Sequence, residues 1–262
     1  MKKNVGFIGS GKMAQAMIGG MLESRTVTKD QILASALTSR TIHWMEKRYG
    51  IEMFKDNTRV ASESDYLFFA VKPYVYPEVI EEVKGHLKED TIIITIAPGV
   101  SIKDMTDVFG KQAKVVRSMP NTPSLVGEGM TVICPNENVS DEEQGEVMEI
   151  FQAFSQVEVM EEKLMDAVPA ISGSSPAYVY VMIEAMADGA VKQGVPRNLA
   201  YRLASQAVLG AAKMVRDTDF HPGELKDQVC TPSGTTIKAI AALEENGFRN
   251  SIIKAMDATR GE

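Results

Sequence analysis

Residues 5–17 read VGFIGSGKMAQAM. A short β-rich run, 4–8, ends in Gly9-Ser10-Gly11 and passes at once into a helix-like segment, 12–23. Gly9, Gly11 and Ala14 form a G-x-G-x-x-A pattern between the two. The first glycine permits a tight turn, the second lets the backbone approach a pyrophosphate, and the small third residue lets helix and strand pack closely. Ser10, Lys12 and Met13 fill the same corner and join the candidate cofactor residues. A strand, this turn and a helix in direct succession point to a dinucleotide bound at a helix N-terminus.

The same grammar continues to about residue 160. QILAS (31–35), DYLFFAV (65–71), TIIITIA (91–97), AKVVRSM (113–119) and MTVICP (130–135) read as strands. Helix-like patterning fills 39–48, 76–87, 101–108 and 140–154, the last opening on Ser140 and an acidic first turn. Alternation of this kind predicts a parallel sheet covered by helices on both faces. After about residue 163 the strand signals stop. Apolar, alanine- and glycine-rich helices are expected over 175–194, 198–217, 222–229, 235–246 and 247–259. Helices apolar on most faces must be buried on most faces. About 100 residues bury themselves poorly, so a second copy of the chain is the expected cover. The expected fold is α/β: a Rossmann doubly wound parallel sheet over 1–162, then an all-α dimerisation and substrate-binding domain over 163–262.

Composition removes several function classes. A net charge of −7, with no basic run, argues against nucleic acid. Cys134 and Cys230 are far apart and at no metal-ligand spacing, and His43, His86 and His221 are scattered, so neither a disulfide nor a metal is expected. The start, MKKNVGFIGSGKMAQAMIGGML, places two lysines before an apolar run, but Gly9, Gly11, Lys12 and Gln15 interrupt it and no cleavage site closes it. No stretch approaches the roughly 18 apolar residues of a membrane span. A cytoplasmic enzyme, without membrane or nucleic-acid partners, is expected.

NAD binders usually carry an acid at the end of the second strand, against the ribose hydroxyls. Here that strand ends in Ser35, followed by Thr38, Ser39 and Arg40, while Asp30 lies before the strand, at the wrong end of the sheet. NADPH is therefore expected over NADH, with Arg40 near the 2′-phosphate and NADH as the alternative. A simple solvated Arg40 explains the residue almost as well. Ala70, Val71, Lys72 and Pro73 follow a buried strand, and Asn121 sits in the proline-stiffened SMPNTP (118–123), where it could lie near the nicotinamide. Ligands of open α/β sheets bind beyond the strand carboxyl ends. CTPSGTTIKAI (230–240) sets Thr231, Ser233, Thr235 and Thr236 before a helix. One hydroxyl suffices for a cap, and free first-turn amides attract an anion.

FIGSGKMAQAM, AVKP, MPNTP, SGSSPAY, HPGELKD and CTPSGTTI occur here in the order found in Δ1-pyrroline-5-carboxylate reductases, and the resemblance runs over essentially the whole chain. Ser175 and Ser233 stand where relatives often carry glycine, and Ala14 takes the third-glycine position. The resemblance implies NAD(P)H-dependent reduction of a cyclic imine carboxylate to L-proline, by a homodimer that can assemble further as a decamer of five dimers. It implies a cofactor set that also includes Asn57. Amides around Ser233, Gly234 and Thr235 would hold the carboxylate, and Thr236 would face the ring nitrogen as the catalytic hydroxyl; the residues alone leave Thr235 as an alternative. SGSSP reads mainly as a helix cap, and His221 as a turn residue. A β-hydroxyacid dehydrogenase would need a lysine on the long helix, yet none falls between Lys163 and Lys192.

Overall fold

Apolar runs too short for helices become strands buried on both faces. In the computed structural model, which describes residues 3–259, eight strands form one sheet. They are β1 (Val5–Ile8), β2 (Ile32–Ser35), β3 (Glu52–Phe54), β4 (Tyr66–Phe69), β5 (Ile92–Thr95), β6 (Lys114–Met119), β7 (Gly129–Pro135) and β8 (Ser155–Val159). Their order is β3-β2-β1-β4-β5-β6-β7-β8. β1 lies between β2 and β4, so the strand order reverses beside the glycine turn. Helices α1 (Lys12–Glu23), α2 (Ser39–Tyr49), α3 (Asn57–Glu63), α4 (Tyr76–Val83), α5 (Ile102–Phe109), α6 (Asp141–Gln152) and α7 (Glu162–Met165) connect the strands or follow them.

Alternate side chains of each strand feed two cores. Phe7, Phe68, Ile94 and Val116 pack with Met17 and Met21 of α1 and Ile150 and Phe151 of α6. Ile8, Leu67, Phe69 and Ile93 pack on the other face with Val60 of α3, Val79 and Val83 of α4 and Met105 of α5. The Phe7 and Phe68 rings stack 4.7 Å apart. Each such side chain contributes about 1.5–3 kcal/mol by leaving water.

The doubly wound sheet is as expected, with one change of direction. β7 runs antiparallel to β6, and β8 follows β7, so the last two strands oppose the first six. A parallel return needs a crossover of a dozen or more residues; only a short 3₁₀ turn, Thr122–Val126, joins β6 to β7. β3, β8 and α3 were not anticipated: β3 has three residues, and SQVEV in β8 is largely exposed. The helix expected over 76–87 ends at Val83, two residues before Gly85. Ser140 closes the expected capping box with Glu143.

Contacts divide the chain between Gly173 and Ser174, later than the expected boundary after residue 162. Met165 and Val168 are fully buried against Met119, Val132 and Cys134. Arg117 of β6, only 4% exposed, donates to Glu162 and Asp166 at 3.3 and 2.5 Å. These contacts bind the 162–173 segment to the sheet.

The second unit holds α8 (Ser175–Lys192), α9 (Arg197–Asp217), α10 (Pro222–Val229), α11 (Thr235–Glu245) and α12 (Phe248–Asp257). Its buried apolar side chains among the described residues are the small ones, Ala187, Ala200 and Ala204. Tyr180, Val181, Leu203, Leu209, Val229 and Ile253 remain more than half exposed. Single scattered apolar residues on a surface need no explanation, but many on one helical unit mark a contact face. No helix among the described residues is long and apolar enough to cross a membrane.

Candidate active site

Gly9 takes a left-handed φ of +95°, and a Cβ there would lie 2.8 Å from Val71 Cγ1 and 2.9 Å from the Ala70 carbonyl oxygen. The turn can therefore close against the end of β4 only with glycine. Ala70 N–H donates to the Ile8 carbonyl at 2.8 Å, drawing 70–73 beside 9–11. Gly11, by contrast, has ordinary backbone angles, and a Cβ on it would meet nothing within 4 Å. It opens α1, whose first turn carries neither a side-chain cap nor an acid. Ala14 is fully buried under the turn. Unfilled space over a glycine, beside free amides at a helix start, fits a pyrophosphate. The residues present thus suit the expected dinucleotide.

Ser10 turns inward: its Oγ donates to the Ser35 carbonyl at 2.9 Å, locking the turn to β2. Gln15 Nε2 donates to the Ser10 carbonyl at 2.8 Å. Lys12 is exposed and Met13 half-buried at the start of α1. At the end of β2, Ser35 Oγ accepts from Gly9 N–H at 3.4 Å and donates to Asn57 Oδ1 at 2.6 Å. Asn57 is the first residue of α3. Arg40 lies in the first turn of α2, exposed and without an ion pair among the described residues. Lys72 and Pro73 are exposed just beyond β4. Gly9, Gly11, Ser35, Ala70 and Val71 thus gather at the carboxyl edge of the parallel strands.

Tyr76 was not anticipated. Buried in α4, it donates to the Phe69 carbonyl at 2.7 Å and lies 2.9 Å from Thr95 Oγ1. Burial pushes its phenol up to about 12, so it stays neutral and holds the β4 turn from beneath. A tyrosine in an apolar run reads as core, which hides this role.

Asn121 is buried, with its amide committed to the fold. Oδ1 accepts from Met130 N–H at 2.8 Å, and Nδ2 donates to the Ser172 carbonyl at 2.9 Å. Its first role is therefore to hold the loop after β6 and the segment before α8. Cys134 and Cys230 are free, and burial pushes the Cys134 thiol up. No group of three or more metal-ligating side chains occurs among the described residues.

In the second unit, none of the hydroxyls of 230–236 caps α11. Gly234 is the N-cap and supplies no side chain. The amides of that first turn therefore keep no side-chain cap. Gly234 N–H donates to the Thr231 carbonyl at 3.0 Å, closing the loop ahead of the helix. A Cβ at Gly234 would lie 2.3 Å from Thr231 Oγ1. Ser233 takes φ +59°, the left-handed region. Thr235 is exposed and Thr236 half-buried. Ser174 precedes α8 without capping it, because a π-helical turn, Pro169–Gly173, runs almost directly into that helix. His221 is a cap: Nδ1 accepts from Gly223 N–H at 3.1 Å.

A glycine corner at the strand-order reversal, followed by a helical unit with exposed apolar faces, defines a nicotinamide-dinucleotide oxidoreductase with a separate helical association domain. Residues 4–99 match the family model described as NADP oxidoreductase, coenzyme F420-dependent, and residues 162–262 match pyrroline-5-carboxylate reductase dimerisation. The chain belongs to the pyrroline-5-carboxylate reductase family. It is 44% identical to the pyrroline-5-carboxylate reductase of Escherichia coli (strain K12), over 98% of this chain and 95% of that protein. The crystal structure of the Plasmodium falciparum pyrroline carboxylate reductase with NADP bound superposes with a TM-score of 0.89 at 32% identity, covering 98% of this chain and 95% of that one. The Coxiella burnetii pyrroline-5-carboxylate reductase gives 0.91 at 32% identity, covering 98% and 96%. The helical unit is a dimerisation domain, which accounts for its exposed apolar side chains.

Proposed function

We infer that the chain catalyses NAD(P)H-dependent reduction of L-1-pyrroline-5-carboxylate to L-proline, the last step of proline biosynthesis. The uncapped first turn of α11, behind the left-handed Ser233, is the observation that carries the substrate assignment. Several hydroxyls precede a helix and none satisfies its amides, so an anion is the missing acceptor. Charge-assisted bonds from such amides are roughly twice as strong as neutral ones. They hold a carboxylate without a buried lysine.

A reduced nicotinamide held at the glycine corner would supply the hydride for the imine carbon, and the ring nitrogen would keep the proton that makes that carbon electrophilic. A cyclic imine takes this proton from water near neutral pH, so no strong protein acid is needed. The protein's task is orientation, with donor and acceptor carbons within about 3–3.5 Å. Thr236, half-buried in the first turn of α11, is assigned to steady the ring N–H as the iminium becomes an amine. Gly9, Gly11 and the α1 amides are assigned to the pyrophosphate, Ser35 and Asn57 to the adenosine ribose, and Val71 and Lys72 to the cofactor's path past β4. A preference for NADPH is supported by the exposed Arg40, which has no ion pair among the described residues, and by the absence of an acid within β2 itself. A ring of five dimers and action in the cytoplasm extend the same reading.

The test is oxidation of NADPH and NADH with pyrroline-5-carboxylate, set against 2-oxo acids and acyclic imines. Turnover confined to the cyclic imine is expected. Thr236→Val should lower kcat while leaving cofactor affinity intact, and unchanged turnover would remove Thr236 from the mechanism.

A further inference from the structure

An acid does stand near the end of β2, but it comes from another part of the chain. Asn57 Nδ2 donates to Glu82 Oε2 of α4 at 2.7 Å, while Asn57 Oδ1 accepts from Ser35 Oγ at 2.6 Å. Ser35 in turn accepts from Gly9 N–H. A single hydrogen-bonded chain therefore runs from Glu82 through the Asn57 amide and the Ser35 hydroxyl to the first glycine of the turn. Glu82 is exposed and has no lysine or arginine partner among the described residues, whereas its neighbour Glu81 pairs with Lys84 at 2.7 Å. Its charge is left uncompensated.

We propose that Glu82 is a specificity-determining residue for the cofactor, supplying across the fold the negative charge that NAD binders place on β2 itself. The proposal rests on the dinucleotide reading above. Two effects follow from one carboxylate. By accepting from Nδ2 it fixes the Asn57 amide with its oxygen toward Ser35, and so shapes the end of β2, where such folds hold the adenosine ribose. By its charge it opposes a 2′-phosphate and favours a free ribose diol, against the pull of Arg40. The enzyme's choice between NADPH and NADH is then a balance between Arg40 on α2 and Glu82 on α4.

Glu82→Gln separates the two effects, since glutamine still accepts from Nδ2 but carries no charge. Dissociation constants of the full-length protein for NADPH, NADH, 2′,5′-ADP and 5′-ADP would be measured by fluorescence and calorimetric titration. In Glu82→Gln, NADPH and 2′,5′-ADP are expected to bind roughly three- to tenfold tighter, with NADH and 5′-ADP nearly unchanged. The gain should shrink in 0.5 M salt, where the Debye length is below about 5 Å. Glu82→Ala, which also frees the amide, should weaken NADH. Equal shifts for phosphorylated and unphosphorylated ligands, or no shift, would overturn the proposal and leave Glu82 a structural contact. Failure of the unaltered protein to bind any of the four would overturn the dinucleotide reading and this inference together.

Discussion

Substituting alanine at each of the two turn glycines separates folding from binding. At Gly9 a side chain must adopt φ +95°, a strained conformation costing about 1–3 kcal/mol. Its Cβ would also lie 2.9 Å from the Ala70 carbonyl oxygen and 3.0 Å from the Ala70 carbonyl carbon, which are backbone and cannot swing aside. Overpacking of that kind adds about 1–3 kcal/mol. Gly9→Ala should therefore lose about 2–6 kcal/mol, a large part of a typical domain stability of about 5–15 kcal/mol. Gly11 has φ −70° and ψ −179°, open to any residue, and empty space where the Cβ would go. Loss of a glycine N-cap and gain in backbone rigidity roughly cancel there, so stability should change by less than about 1 kcal/mol. Yet the new methyl fills the space assigned to the pyrophosphate, and NADPH binding should fall at least tenfold, about 1.4 kcal/mol. Denaturant unfolding without cofactor, at one protomer concentration because association couples to stability, would be set beside fluorescence titration with NADPH. Tight NADPH binding by Gly11→Ala, or normal stability of Gly9→Ala, would refute this account of the corner.

Two further outcomes are expected. Ser233→Gly should relieve a left-handed serine costing about 1–2 kcal/mol, offset by about 0.5–1 kcal/mol of added chain entropy, and so raise Tm by about 1–3 °C; a lower Tm in calorimetry would show that the hydroxyl itself holds the loop. At the opposite edge of the sheet, burial raises the Glu146 carboxyl, but the Lys3 ammonium at 2.6 Å and the Tyr66 hydroxyl outweigh it and leave it below its ordinary value of 4.5. A depressed folded-state pKa contributes stability present above the unfolded value and lost as pH falls through the folded one. The unfolding midpoint should therefore drop as pH falls below 4.5, and Glu146→Gln should flatten that slope; an unchanged slope would place the acid sensitivity elsewhere.

Local chemistry alone determined the first βα corner, the buried strands and most helix ends. Each is signalled by residues near in sequence: Gly9 for a tight turn, apolar runs for strands buried on both faces, Ser140 and Glu143 for a capping box. Family resemblance carried this to a reaction and a substrate. The tertiary structure decided what depends on distant partners. β7 reverses because its connection is too short to cross the sheet, and β3 and β8, one only three residues long and the other largely exposed, are fixed by pairing with β2 and β7. The 162–173 segment joins the first unit because Arg117, Met119 and Val132 hold it. The Asn121 amide is fixed by Met130 and Ser172, both remote in sequence. Glu82 meets Asn57 only because α3 and α4 pack together. Propensity and period act over a few residues, whereas strand direction, amide partners and the charge beside a ribose are set by which segments the fold brings together.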